Sequence, residues 1–217
     1  MNAANLIDDV LAEISDEQDT TRAEVLSRLN KAQLAVAGKI LMPDLADGNT
    51  SVLSVLGSSE ADMPADFHRH IFMAQIDNYP VRTYLSFPLF LQEFNSLSDD
   101  AGDIIGIVTK GLKLIYQGVP SDATTIALQY YRLPVDMTDV STSYPDGISN
   151  SEEYVMCLFH YACWKLFARV EDYTEAKHDT MYHKKEYQDY LVELGHACSK
   201  LNGPEVIMPE SGVKDFF

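Results

Sequence analysis

Positive charge is what this sequence has least of. Sixteen Lys and Arg stand against 33 Asp and Glu over 217 residues, a formal net charge of −17. A surface this acidic repels phosphate, which argues against tight, sequence-independent binding to nucleic acid and against attachment to an anionic membrane. Long apolar runs are missing too. The richest stretch, Tyr154 to Val170, contains His160, Lys165 and Arg169, and falls short of the ~18 to 20 apolar residues a membrane span needs. Met1 to Asp9 reads without the basic and apolar regions of a signal peptide. Cysteine is limited to Cys157, Cys163 and Cys198, an odd number with no Cys-x-x-Cys spacing, so free thiols in a reducing cytoplasm are expected. Hydrophobic residues at 46% and charged residues at 23% exclude a disordered tail protein and a collagen-like fibre.

Catalytic signatures are also lacking. There is no Gly-x-Ser-x-Gly, no phosphate-cradling glycine-rich loop and no His-Glu-x-x-His. His68 and His70 would point the same way on a strand, but no third metal ligand is specified, so edge-strand or surface histidines are the favoured reading. Cys157 and His160 share a helical turn with Cys163 nearby; small apolar cysteines in a helix core account for them more simply than a metal site. His178 and His183, five apart, do not share a helix face. The acid pairs Asp99-Asp100, Glu152-Glu153 and Glu171-Asp172 read as solvated caps. The expectation is a protein with no catalytic residue, no cofactor and no metal.

What is present is pattern. Leu6, Val10, Leu11 and Ile14 recur at helical spacing. Thr21-Arg22-Ala23-Glu24 is a capping box opening a second helix, whose apolar face is Val25, Leu29, Ala32, Val36 and Ile40; Pro43 and Asp47-Gly48-Asn49 end it. From about Thr50 to Gly147 the character changes. Met63-Pro64-Ala65-Asp66-Phe67 looks like a turn into a strand, Arg82 to Leu85 like a short strand, and Phe87 to Leu97 like a helix with Pro88 in its first turn. Residues 104–108, 112–116 and 124–131 are β-branched and aromatic runs bounded by glycine, the clearest strands. Helix returns at Asn150 or Ser151, with one stripe of Val155, Leu158, Phe159, Ala162, Leu166 and Val170 and a second of Tyr154, Cys157, Tyr161, Trp164 and Ala168. A helix apolar on two sides is buried on two sides. A last, wetter helix runs to Cys198, with Met181, Tyr187, Leu191 and Leu194 as packing residues.

The order helix, helix, β-rich insert, helix, helix predicts an α+β fold. Residues 1–49 and 149–200 would form a four-helix bundle-like core, 50–148 an inserted small antiparallel β module, and 201–217 an extended C-terminal tail. Phe216 and Phe217 end that tail, and Pro204, Val206, Ile207 and Met208 precede them; leaving such groups in water is unfavourable, so docking on a partner weighs evenly against disorder or self-docking.

The arrangement resembles the portal adaptor, or head-to-tail connector, family of tailed bacteriophages, over about Asn5 to Leu201. Leu29-Asn30-Lys31-Ala32-Gln33 looks like the family's Leu-Asn-x-Ala-Gln helix pattern. Met63 to Phe67 is similar to its Leu-Pro-x-Asp-Phe turn. Leu114 to Pro120, followed by Tyr130-Tyr131-Arg132-Leu133-Pro134, resembles its Tyr-Pro-x-Pro element and Tyr-Tyr-Arg-x-Pro strand end, with Gly118-Val119 in place of the first proline. Tyr144-Pro145-Asp146-Gly147-Ile148 then precedes an aromatic helix.

The resemblance implies a structural virion protein at the neck between capsid and tail, made in the host cytoplasm. Twelve copies would form a ring attached to the portal protein, with the C-terminal segment Pro204, Val206, Ile207, Met208, Phe216 and Phe217 reaching the portal. A tail or nozzle protein would bind the opposite face, and DNA would pass the lumen without specific binding. Acids facing the lumen would keep DNA from sticking, or else would simply keep the free subunit soluble. Two rival readings stand beside this one: an acidic soluble binding module or assembly chaperone outside the virion, and an enzyme using Cys157 and His160.

Overall fold

The computed structural model describes residues 1–14, 20–94, 101–148, 151–168 and 174–202, with side chains from 178 to 201 in the last of these. In chain order these residues form α1 (Ala3–Ile14), α2 (Arg22–Ala37), a 3-10 turn (Pro43–Leu45), β1 (Gly48–Leu53), β2 (Glu60–Asp62), β3 (Phe67–Ile76) and β4 (Tyr79–Tyr84). Then follow α3 (Phe87–Phe94), β5 (Gly106–Lys110), β6 (Lys113–Gln117), β7 (Thr125–Arg132), α4 (Glu152–Phe167) and α5 (Thr174–Asn202). Two compact units result: Met1–Asp44 together with the described residues from Pro134 onward, and Leu45–Leu133.

In the helical unit, local chemistry sets the helix starts. Thr21 Oγ1 accepts from the Glu24 amide at 3.3 Å while the Glu24 carboxylate accepts from the Thr21 amide at 3.4 Å, completing the capping box. Such a cap contributes about 1 kcal/mol. Ser151 caps α4 by accepting from the Tyr154 amide at 3.1 Å, with Glu152 and Glu153 in the positively polarised first turn. α1 buries Ala3, Leu6, Ile7, Val10 and Ile14; α2 buries Val25, Leu29, Ala32 and Val36 and stops at Gly38, short of Pro43. α4 buries Tyr154, Cys157, Leu158, Ala162, Cys163 and Leu166 on opposite sides.

That two-sided burial decides the packing. α4 is the hub, touching α1, α2 and α5, while α1 and α2 touch each other beside it. The mixed α+β class matches expectation, but the bundle-like core does so only in part, because the helices gather around α4 instead of sharing one central seam. α5 packs antiparallel along α4, through Phe167 on His183 and His160 on Tyr190. Its buried stripe is His183, Tyr187, Leu194 and Cys198, with Leu191 half-buried; Met181, expected to pack, is 68% exposed.

In the second unit the strand order is β1-β7-β3-β4-β5-β6-β2. Neighbours are antiparallel except β4 and β5, which run parallel, so the expected all-antiparallel module is a mixed sheet. Parallel neighbours need a crossover connection, and α3 lies in it. One face buries Phe67, Ile107, Leu114, Tyr116, Leu128 and Tyr130. α3 covers other residues, packing Phe90 against Val108 and Ile115. β3 does not alternate cleanly: its register against β7 shifts at Arg69, Ile71 and Met73, and His70 has φ +51°. The one-residue spacing of His68 and His70 therefore sets no common face. The outermost strands, β1 and β2, approach each other, so the sheet nearly closes on itself. There the Tyr116 hydroxyl accepts from the Val55 amide at 3.0 Å and donates to the Glu60 carbonyl at 3.2 Å.

Candidate functional site

The groups that could carry chemistry are sealed in the helical unit. His160 Nδ1 of α4 lies 2.9 Å from His183 Nδ1 of α5. The Glu13 carboxylate, 3.4 Å from His183 Nε2, favours a proton on that nitrogen, which leaves His183 Nδ1 to accept from His160. Burial, then the neighbouring imidazole, pushes His160 down to about 4; burial lowers His183 as well. Phe159, Phe167, Tyr182 and Tyr190 surround the pair. Sequence reading grouped His160 with Cys157; the structure pairs it with His183, a contact between helices that no local spacing signals.

The cysteines are free and buried. Burial drives Cys157 up to about 12 and Cys198 up to about 11, and raises Cys163 too, so all three are thiols at neutral pH and poor nucleophiles or metal ligands. No group of three or more His, Cys, Asp or Glu among the described residues is placed to hold a metal ion.

The sequence motifs prove to be clasps. On α2, Asn30 and Gln33 face segment 134–148. Gln33 Nε2 donates to the Val135 carbonyl at 3.2 Å, and its Oε1 accepts from the Asp146 amide at 2.7 Å. Asn30 exchanges both bonds with Met137, accepting at 2.8 Å and donating at 3.1 Å. Asp146 also accepts from the Val135 amide at 2.7 Å, and its carbonyl accepts from Tyr154 Oη at 2.8 Å. Gly147, at φ +152°, sits where a Cβ would lie 2.6 Å from Met42 Sδ. Arg22 binds Asp139 through two bonds of 2.7 Å and also holds Asp8.

In the sheet unit the Pro-x-Asp-Phe turn and the Tyr-Tyr-Arg-x-Pro strand end meet. Tyr130 Oη donates to Asp66 at 2.6 Å, the Leu133 amide donates to the Asp66 carbonyl at 2.7 Å, and the Phe67 and Tyr130 rings lie 5.7 Å apart. Arg132 pairs with Asp47 at 2.6 Å. Gly118 has φ +89°, with a would-be Cβ 2.0 Å from the Asp103 carbonyl oxygen. Proline, fixed near φ −65°, cannot occupy that site, which accounts for the glycine there.

Large apolar side chains are exposed among the charged ones. Leu56, Tyr79, Leu85 and Leu112 project from the sheet unit, and Leu34, Val135, Tyr144 and Met181 from the helical unit. Between α1 and α4 runs a groove of about 380 Å³ floored by Leu6, Ala12, Val155, Met156 and Phe159 and edged by Asp9 and Glu13. The expected partner segment, Pro204, Val206, Ile207, Met208, Phe216 and Phe217, lies outside the described residues. No helix among the described residues is long and apolar enough to cross a membrane.

The described residues thus define an α+β protein with a paired histidine couple and protonated thiols inside its helical unit and large apolar side chains exposed on each unit. The chain matches the family model of the SU10 adaptor protein over residues 1–204, and it belongs to that family of phage portal and head-to-tail adaptors. No curated protein matches it.

Proposed function

We propose that this chain is a structural virion protein that forms a ring of twelve copies between the portal vertex and the tail. The family match over residues 1–204 carries the reading. Exposed apolar side chains on each unit supply surface for partners. The helical segments within 1–49 and 149–200 build the ring, the module within 50–148 stands at its periphery, and DNA crosses the lumen without specific contacts. The segment 201–217, with Pro204, Val206, Ile207, Met208, Phe216 and Phe217, engages the portal, and a tail or nozzle protein takes the opposite face. The subunit does its work without catalysis, first in the host cytoplasm and then in the virion neck.

Imaging of purified virions tests this. Annular density of matching subunit mass below the portal vertex is expected; a neck without it overturns the reading in favour of a soluble acidic module. Deleting residues 204–217 is expected to abolish co-sedimentation with portal, and undiminished co-sedimentation would show that the anchor lies elsewhere.

A further inference from the structure

Resting on that ring, we infer that the α1/α4 groove of one copy seats the outer face of α2 of the next copy. Leu34 enters the apolar floor, while Lys31 and Arg28 meet Asp9 and Glu13.

The groove is where the hub helix runs out of cover. α4 is apolar around most of its circumference and has α1, α2 and α5 against it, yet Val155, Met156 and Phe159 stay only half-buried. The rim there is acidic: α1 carries Asp8, Asp9 and Glu13 and no basic residue. In a chain of net charge −17, another copy can approach such a rim only by presenting some of its few cations.

The largest excess of base over acid in any described element lies at α2. Arg22, Arg28, Lys31 and Lys39 lie in or next to it against a single acid, Glu24. Arg22 is committed to Asp139 and Asp8, and Lys39 lies over the Tyr187 ring. Arg28 and Lys31 have no ion pair among the described residues, and Leu34, one turn beyond Lys31, is 49% exposed. Elsewhere the exposed Lys185 on α5 is already paired with Asp189 at 3.4 Å. A leucine flanked by cations that have no ion pair among the described residues matches an apolar groove flanked by carboxylates.

The geometry of the two patches also suits a ring. No α2 residue lines the groove. Donor and acceptor surfaces are therefore different parts of the subunit, and the contact is heterologous, the kind that propagates from copy to copy and closes when the rotation allows; a two-fold dimer would require one self-complementary patch. The chain's own segment 203–217 is the other occupant to consider. It bears Glu205, Glu210 and Asp215 against Lys214, so it would set acid against acid.

Cross-linking tests the contact. In the full-length chain carrying Leu34→Cys and Met156→Cys, oxidation should give a ladder on a non-reducing denaturing gel that extends beyond the dimer, while either single substitution gives dimers at most. The native cysteines are buried and protonated and should not contribute. Lys31→Glu should raise the concentration for half-assembly by about tenfold, Asp9→Lys likewise, and the two together should return it to within about threefold of wild type. Mass photometry, with and without portal, separates the failures. Rings that form without any ladder, or that ignore Lys31→Glu, overturn this contact and leave the ring standing. A chain that stays monomeric with portal present overturns the ring and the contact together. A ladder that appears only after deletion of residues 204–217 would give the groove to the tail and overturn the proposal.

Discussion

The two units secure their irregular backbone by different means. In the helical unit, Asn30 and Gln33 project from a regular helix and replace the missing rungs of segment 134–148, each amide side chain donating and accepting at once. In the sheet unit the same task falls to phenol hydroxyls, Tyr116 between strand ends and Tyr130 on Asp66. An amide reaches one neighbour and imitates the peptide group. A tyrosine spans a ring's length and joins segments that could not pair directly. The helical unit is thus held by partners spaced at i and i+3 on one element. Both sets of clasps join residues far apart in sequence, 102 to 113 positions in the helical unit and 56 to 64 in the sheet unit, but those of the sheet unit come from separate strands instead of one helix.

That contrast can be broken most severely at Gly118. Gly118→Val places a Cβ against the Asp103 carbonyl at positive φ and should cost about 4 kcal/mol or more, read as loss of cooperative thermal unfolding of the sheet unit. Gln33→Leu comes next. It strips the Asp146 amide and the Val135 carbonyl of their partners inside a buried site and should cost about 2 to 3 kcal/mol by chemical denaturation. A melt within 1 °C of wild type would show that segment 134–148 is held otherwise.

Acid should act more gently on the helical unit. His160 and His183 titrate lower when folded than when unfolded, so the unfolded chain binds more protons below the ordinary histidine value near 6.5, down to about 4 for His160. Stability should be full above pH 6.5, fall as pH drops through that window, and gain no further histidine penalty below it. His70 adds the same sign in the sheet unit, where burial, then the cationic Arg69 and His68, lower it. Replacing the pair by His160→Phe with His183→Leu should flatten the slope between pH 6.5 and 4 relative to wild type; an unchanged slope would assign it to other groups. Smallest of all, Lys113→Ala breaks an exposed pair with Asp62 and should leave the denaturation midpoint indistinguishable from wild type, since solvent screens it.

Much of the helical unit was legible in the sequence because helix signals are local. Thr21 and Glu24, Ser151 with its two glutamates, and the two stripes of α4 all lie within a few residues of what they determine. Strands 5 to 7 were legible as β-branched runs. Their pairing was not: β1 joins β7 across the length of the unit, and the parallel β4–β5 pair depends on α3 crossing between them. β2, three residues long, has too little sequence to show a period. On α5 the reading began its stripe at Met181, whose spacing to Tyr187 does not return to the same face, and passed over His183, whose polarity hides its burial. For the candidate site, the motifs were found but their work was not. Asn30, Gln33, Asp66 and Tyr130 become clasps only when distant segments arrive opposite them.

One consequence follows from the phenol that ties the first and second strands together. A sheet with bare margins can recruit further strands without limit, as fibres do, because every added backbone offers a fresh template. Here the margins are drawn toward each other, with Tyr116 bonded to the Val55 amide and the Glu60 carbonyl, which leaves less room for an added backbone. In the proposed ring, copies would then recognise one another through the shapes and charges of side chains, and recognition of that kind can stop at a fixed number.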